Sequence, residues 1–147
     1  MVEPYSLSLA EMIARIRQKK LSPLTLMESV LKRIDSVDPL IQAWVTIDRK
    51  GILKEARIRR DEISRGQTRG LLHGIPIGVK DIFYTAGMKT TAGSKVMEDF
   101  VPSYDSTAVQ RLKKAGAIVL GKTATTEFAH ADPAPTRNPW NQEHTPG

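Results

Sequence analysis

Leu71-Leu72-His73-Gly74-Ile75-Pro76-Ile77-Gly78-Val79-Lys80-Asp81-Ile82-Phe83 is the most apolar stretch of the chain. Its near-continuous run of aliphatic residues predicts a buried strand. Alternation along that strand places Gly78, Lys80 and Ile82 on one face and Ile77 and Val79 on the other. A lysine set among Ile77, Val79, Ile82 and Phe83 faces a desolvation cost that favours its neutral amine, the form able to act as a general base. Gly78 on the same face leaves room for another backbone or a ligand. The plainer alternative is a strand-end lysine that snorkels to water or pairs with a carboxylate, and on these residues alone it is the commoner outcome.

Toward the N-terminus the pattern is helical. Ser8-Leu9-Ala10-Glu11 fits a capping box, and Leu9, Met12, Ile13 and Ile16 follow as one apolar stripe. Ser22-Pro23 starts a second helix with Met27, Val30, Leu31 and Ile34 on its buried face, and Asp38-Pro39 is expected to end it. Ala43-Trp44-Val45-Thr46-Ile47 predicts a short strand. A third helix is expected from about Lys50 to Ser64, with Ile52, Leu53, Ala56 and Ile63 inward and Gly66 beyond its end. Its basic run, Arg57 to Arg60, is interleaved with Asp61 and Glu62, the pattern of a solvated face.

Beyond the apolar stretch, Thr85 to Ser94 reads as loop. Asp105 is expected to cap a fourth helix with Ala108, Val109, Leu112 and Ala115 inward, and Gly116 closes it. Ala117-Ile118-Val119-Leu120 predicts a strand directly after that helix, which points to α/β layering. From Ala131 onward four prolines interrupt any periodicity, so the tail reads as ordered loop or linker.

Composition narrows the chemistry. The 147 residues include no cysteine, which removes disulfides, thiolate metal sites and a cysteine nucleophile. Three histidines are too few for a histidine-rich metal centre, and no cofactor motif is recognised. His130-Ala131-Asp132 offers two metal donors without a third fixed by spacing. The net charge of +6 permits an anionic partner, yet the mixed signs of its densest run argue against nucleic acid. No apolar run is long enough to span a membrane, and Met1-Val2-Glu3-Pro4 lacks the features of a signal peptide, so a cytoplasmic protein is expected.

Gly116-Ala117-Ile118-Val119-Leu120-Gly121-Lys122-Thr123 matches G-x-x-x-x-G-K-[ST], the string of a phosphate-binding loop. Its context does not fit. A helix precedes the first glycine, and the spacer is a β-branched strand where flexible loop residues belong. No G-x-S-x-G elbow is present for a serine triad.

Taken together, Gly74 to Asp81, Thr91-Ala92-Gly93-Ser94, Ala115 to Thr123, Glu127-Phe128-Ala129, Asn138-Pro139-Trp140-Asn141 and His144-Thr145-Pro146-Gly147 resemble, in order, the motifs of the amidase signature family. The resemblance implies an α/β fold, the N-terminal portion of a mixed sheet wrapped by helices. On that scheme residues 1–147 are part of a single amidase domain. Its helices lie in 8–65, its lysine-motif strand near 75–83, a helix–strand unit near 105–121, and a Pro-rich loop over 131–147 leads to the serine loop. The implied activity is hydrolysis of a carboxamide C–N bond by a Ser–cisSer–Lys set without metal or cofactor. Lys80 would be the base, and Ala129 falls where some relatives line the acyl pocket. Neither serine of the set lies in this chain, and Ser94 and Ser106 match neither position. The chain would then be inactive alone. The family's other branch, the amidotransferases, works on charged tRNA with partner subunits. A non-catalytic interaction fragment is the reading from a different class. Expected partners are a small-molecule amide and either a homo-oligomer or the rest of an amidase chain. Ala124 departs from the family pattern, where many relatives carry asparagine.

Overall fold

The computed structural model describes residues 2–131 and 133–146. Four α-helices, α1 (Leu9–Arg17), α2 (Pro23–Ile41), α3 (Arg49–Ser64) and α4 (Thr107–Lys114), accompany three strands, β1 (Trp44–Ile47), β2 (Pro76–Lys80) and β3 (Ile118–Thr123). The strands form one sheet in the order β1-β3-β2. β1 runs antiparallel to β3, with Thr46 opposite Lys122 and Ile47 opposite Gly121. On the other side, Ile118 N–H donates to the Ile75 carbonyl at 2.8 Å and Asp81 N–H to the Thr123 carbonyl at 2.9 Å. Both strands ascend together between those bonds, so β2 and β3 are parallel and the sheet is mixed. A parallel pair needs a crossover, supplied by residues 81–117 with α4 within them.

The chain divides into two compact units. The first comprises residues 1–35, 48–77 and 111–120. Its interior is Ile16, Leu26, Met27, Leu31, Ile34, Ile52, Ala56, Ile63, Ile75, Ile118 and Leu120. The capping box at α1 is formed: Ser8 Oγ accepts from Glu11 N–H, and the Glu11 carboxylate accepts from Ser8 N–H at 2.9 Å. Arg59 departs from expectation. The basic run of α3 is not wholly solvated, because Arg59 is only 3 % exposed and its guanidinium meets Glu55 at 2.8 Å and Glu62 at 3.6 Å. Burial pulls its pKa down, against the pull of Glu55. The cause is positional: Ile52, Ala56, Arg59 and Ile63 share one helical face by spacing, and that face is the buried one. Beside it, buried His73 lies with Nε2 2.9 Å from the Arg59 carbonyl oxygen, while Nδ1 accepts from Arg69 N–H at 3.0 Å. Gly116 has φ +95°, and a Cβ there would stand 2.7 Å from His73 Cα, so conformation and space both demand glycine.

The second unit comprises residues 36–47, 78–110 and 121–147. Here α2 runs past Asp38-Pro39 to Ile41, contrary to the expected stop. A proline in the last turn forfeits a single ladder bond, and a later one, Gln42 N–H to the Asp38 carbonyl at 2.7 Å, is kept. The Asp38 carboxylate then accepts from Ala43 N–H at 2.7 Å, turning the chain into β1. α4 begins one residue later than an Asp105 cap implies: the Ser106 carbonyl takes its first ladder bond, while Asp105 Oδ1 accepts from Ala86 N–H at 2.8 Å. Val109 is buried as expected, but Ala108 is exposed. At Gly121 a Cβ would collide with the Thr46 carbonyl oxygen, so only glycine allows β1 to pair this closely. Residues 133–146 hold no helix or strand, as the prolines suggested.

Candidate active site

β2 ends at Lys80, and alternation along it decides what each side chain meets. Val79 and Asp81 are buried; Gly78 and Lys80 are exposed. The expectation that Lys80 sits dry is therefore corrected. The apolar stretch is not a strand buried on both faces: only Pro76–Lys80 is extended, Leu71 and Phe83 are exposed, and the side of β2 bearing Lys80 opens on a cleft. The cleft has a volume of about 530 Å³, and Lys80 lines it with Thr123, Thr125, Ala129 and His130. Lys80 and Ala129, far apart in sequence, are thus brought together.

Two interlocked loops of the same unit border this region. Phe128 N–H donates to the Ala92 carbonyl at 2.8 Å, and Ser94 Oγ donates to Glu127 Oε1 at 2.5 Å. Ala92 (φ 53°), Phe128 (φ 47°) and Ala129 (φ 58°) all adopt the left-handed conformation that side chains with a Cβ rarely take. Such strain persists only where surrounding bonds over-determine it, and it concentrates at functional sites. Ser94 is buried and engaged with Glu127, and the Ser106 hydroxyl is buried without a hydrogen-bond partner.

The buried lysine is Lys122, which in the sequence stands inside the phosphate-loop string. β3 extends through Gly121-Lys122-Thr123, so those residues are strand and offer no loop to cradle a phosphate. Lys122 is 0 % exposed. Its ammonium donates to the Phe83 carbonyl at 2.5 Å and to Thr90 Oγ1 at 2.7 Å, and lies 3.6 Å from Asp81 Oδ1. Desolvation pulls its pKa below the ordinary lysine value, with Asp81 opposing. Asp81, also 0 % exposed, accepts through Oδ2 from Thr91 N–H at 3.0 Å and Thr91 Oγ1 at 2.5 Å. The signal was available: Ile118, Leu120 and Lys122 alternate inward, so a strand carried two residues further puts Lys122 inside.

Among the described residues no group of three or more His, Cys, Asp or Glu side chains could hold a metal, and no helix is long and apolar enough to cross a membrane. In the His130-Ala131-Asp132 reading, Asp132 lies outside the described residues.

A mixed sheet with helices, a strand-end lysine facing a cleft and strained loops beside it define an α/β protein with a lysine-lined cleft. The amidase family model matches residues 25–147, and the chain belongs to that family. It is 42 % identical to the A subunit of the glutamyl-tRNA(Gln) amidotransferase of Carboxydothermus hydrogenoformans over 99 % of this chain and 31 % of that protein. It thus spans just under a third of the length of that curated relative. Among solved structures, the peptide amidase of Stenotrophomonas maltophilia superposes with a TM-score of 0.89 at 36 % identity, covering 99 % of this chain and 32 % of that one. A bacterial aryl acylamidase of the amidase signature family shares the fold, with a TM-score of 0.90 at 24 % identity over 98 % of this chain and 31 % of that one.

Proposed function

We propose that this chain is the lysine-bearing part of an amidase that cleaves a carboxamide C–N bond. The observation that carries the reading is the exposed amine of Lys80 at the end of β2, lining one cleft with Ala129. An exposed amine at a cleft wall is open to a hydroxyl brought to it, and a general base works only within hydrogen-bond reach of the proton it takes. Once the segment that brings the serines covers the cleft and desolvates its amine, neutral Lys80 takes a proton from one serine, which relays from a second serine that attacks the amide carbonyl. That proton passes to the departing nitrogen as the C–N bond breaks, and water then hydrolyses the acyl-enzyme. The family's two serines match no position in these 147 residues, which span 31 % of the amidotransferase subunit's length. Ala129, small and at the cleft wall, leaves space for the acyl group.

The test is Lys80→Ala in the full-length protein. A drop in kcat of about 10²–10⁴-fold, the usual scale of lost acid–base catalysis, is expected with unchanged circular dichroism and melting, because the side chain is exposed. Wild-type turnover in a folded variant rejects the assignment.

The 42 % identity to an amidotransferase component supports a second reading, in which the protein acts on charged tRNA with partner subunits. Glutamine-dependent transfer that requires an added partner decides for it; hydrolysis of simple amides by the protein alone decides for the first.

A further inference from the structure

We infer that Lys122 is a positioning residue for Lys80, its buried pairing with Asp81 fixing the direction from which the Lys80 side chain enters the cleft. The inference rests on the amidase reading for its effect on turnover. Asp81 follows Lys80 directly, and every polar group of that residue is engaged except Oδ1. Its N–H is held by Thr123, its carbonyl by Ala92 N–H at 2.9 Å, and its Oδ2 by Thr91. Oδ1 has no hydrogen-bond partner and faces the Lys122 ammonium at 3.6 Å. Lys122 in turn holds the Phe83 carbonyl, while Phe83 N–H closes back onto the Lys80 carbonyl at 3.0 Å. Its other acceptor, Thr90, sits on the segment that also carries Thr91.

One buried ammonium therefore fastens both the turn that leaves Lys80 and the Thr90–Thr91 segment that holds Asp81. Burying an ion pair is a poor route to stability, since desolvation offsets much of the attraction, whereas its directional bonds specify a geometry. An apolar side chain of similar length at position 122 would fill the same space with no hold on Phe83, Thr90 or Asp81. The cost would then fall on where Lys80 points.

The experiment compares the full-length protein with Lys122→Met/Asp81→Asn, which removes both charges together and leaves no uncompensated ion. Turnover of a simple amide is measured with the rate at which acetic anhydride modifies Lys80, referred to exposed Lys54 by mass spectrometry. The expected result is a cooperatively melting variant with kcat lower by about 10²-fold, the effect of misplacing a catalytic group by an ångström, an unchanged KM, and a severalfold altered Lys80 rate. A folded variant in which either kcat or the Lys80 rate stays at the wild-type value overturns the inference, since a merely structural pair would not move the two together. Should the double variant fail to melt cooperatively, Thr90→Val, which removes a single acceptor, is read by the same two criteria. If wild-type protein hydrolyses no amide, the amidase reading fails, and Lys80 modification alone decides the positioning role.

Discussion

In the helical unit the most deeply buried side chains are Ile16, Leu26, Met27, Ile52 and Ala56, whereas in the unit carrying Lys80 they are Lys122, Asp81, Thr85 and Thr90 beside Val109. The first interior is held by apolar area removed from water, a force without direction. The second is held by bonds between named atoms, which fail if either partner moves. A unit of the first kind tolerates exchange of one aliphatic side chain for another, while the second fixes a geometry and tolerates little. That is the expected division of labour between a scaffold and a site.

The sharpest way to break the contrast is Asp81→Asn. It leaves the Lys122 ammonium buried without its counter-charge, and a loss of about 3–5 kcal/mol is expected in denaturant titration. In the helical unit, Leu26→Ala removes a fully buried side chain and should cost about 3 kcal/mol through the cavity it opens. Unlike Asp81→Asn, it should leave the Lys80 cleft unaltered, as judged by the Lys80 modification rate.

The pH dependence of Lys122 is smaller. Its folded-state pKa lies below that of the unfolded chain, so below both values the burial penalty is present in full. As pH rises past the folded value, the unfolded state alone keeps the proton, and stability increases toward the ordinary lysine range. The gain is about 1.4 kcal/mol for each unit separating the two values. Lys122→Met should flatten this alkaline rise in denaturant midpoints relative to wild type. Smallest of all, Ser8→Ala removes the α1 cap at a cost of about 1 kcal/mol, with the cleft untouched.

The helical unit was largely legible in the sequence because its signals are local. Ser8 and Glu11 stand three apart as a capping box requires, and Met27, Leu31 and Ile34 recur at helical spacing. The misreadings have physical causes. Pro39 ends nothing because it falls in the final turn, where a proline sacrifices one bond. Arg59 reads as surface by its charge, although its spacing puts it on the buried face with Ile52, Ala56 and Ile63, neutralised there by Glu55 and Glu62 of the same helix. In the site unit, family likeness pointed to Lys80 and Ala129, and the fold places both on one cleft. The exposure of Lys80 escapes such a reading, because local hydrophobicity around position 80 does not report the cleft on that side of β2. The burial of Lys122 was within reach of strand alternation from Ile118 and Leu120, but its partners, residues 81, 83 and 90, come from a distant segment that position 122 alone does not reveal.

The ring of His73 carries one more consequence. Because the Arg59 carbonyl oxygen can only accept and Nδ1 already receives the Arg69 amide hydrogen, the imidazole is locked as the Nε2–H tautomer. Both ring nitrogens are committed to backbone partners, so neither is free to ligate a metal or meet an electrophile. It serves as a crossbar between α3 and the turn that follows, and a histidine scan of this protein for chemistry can pass over it.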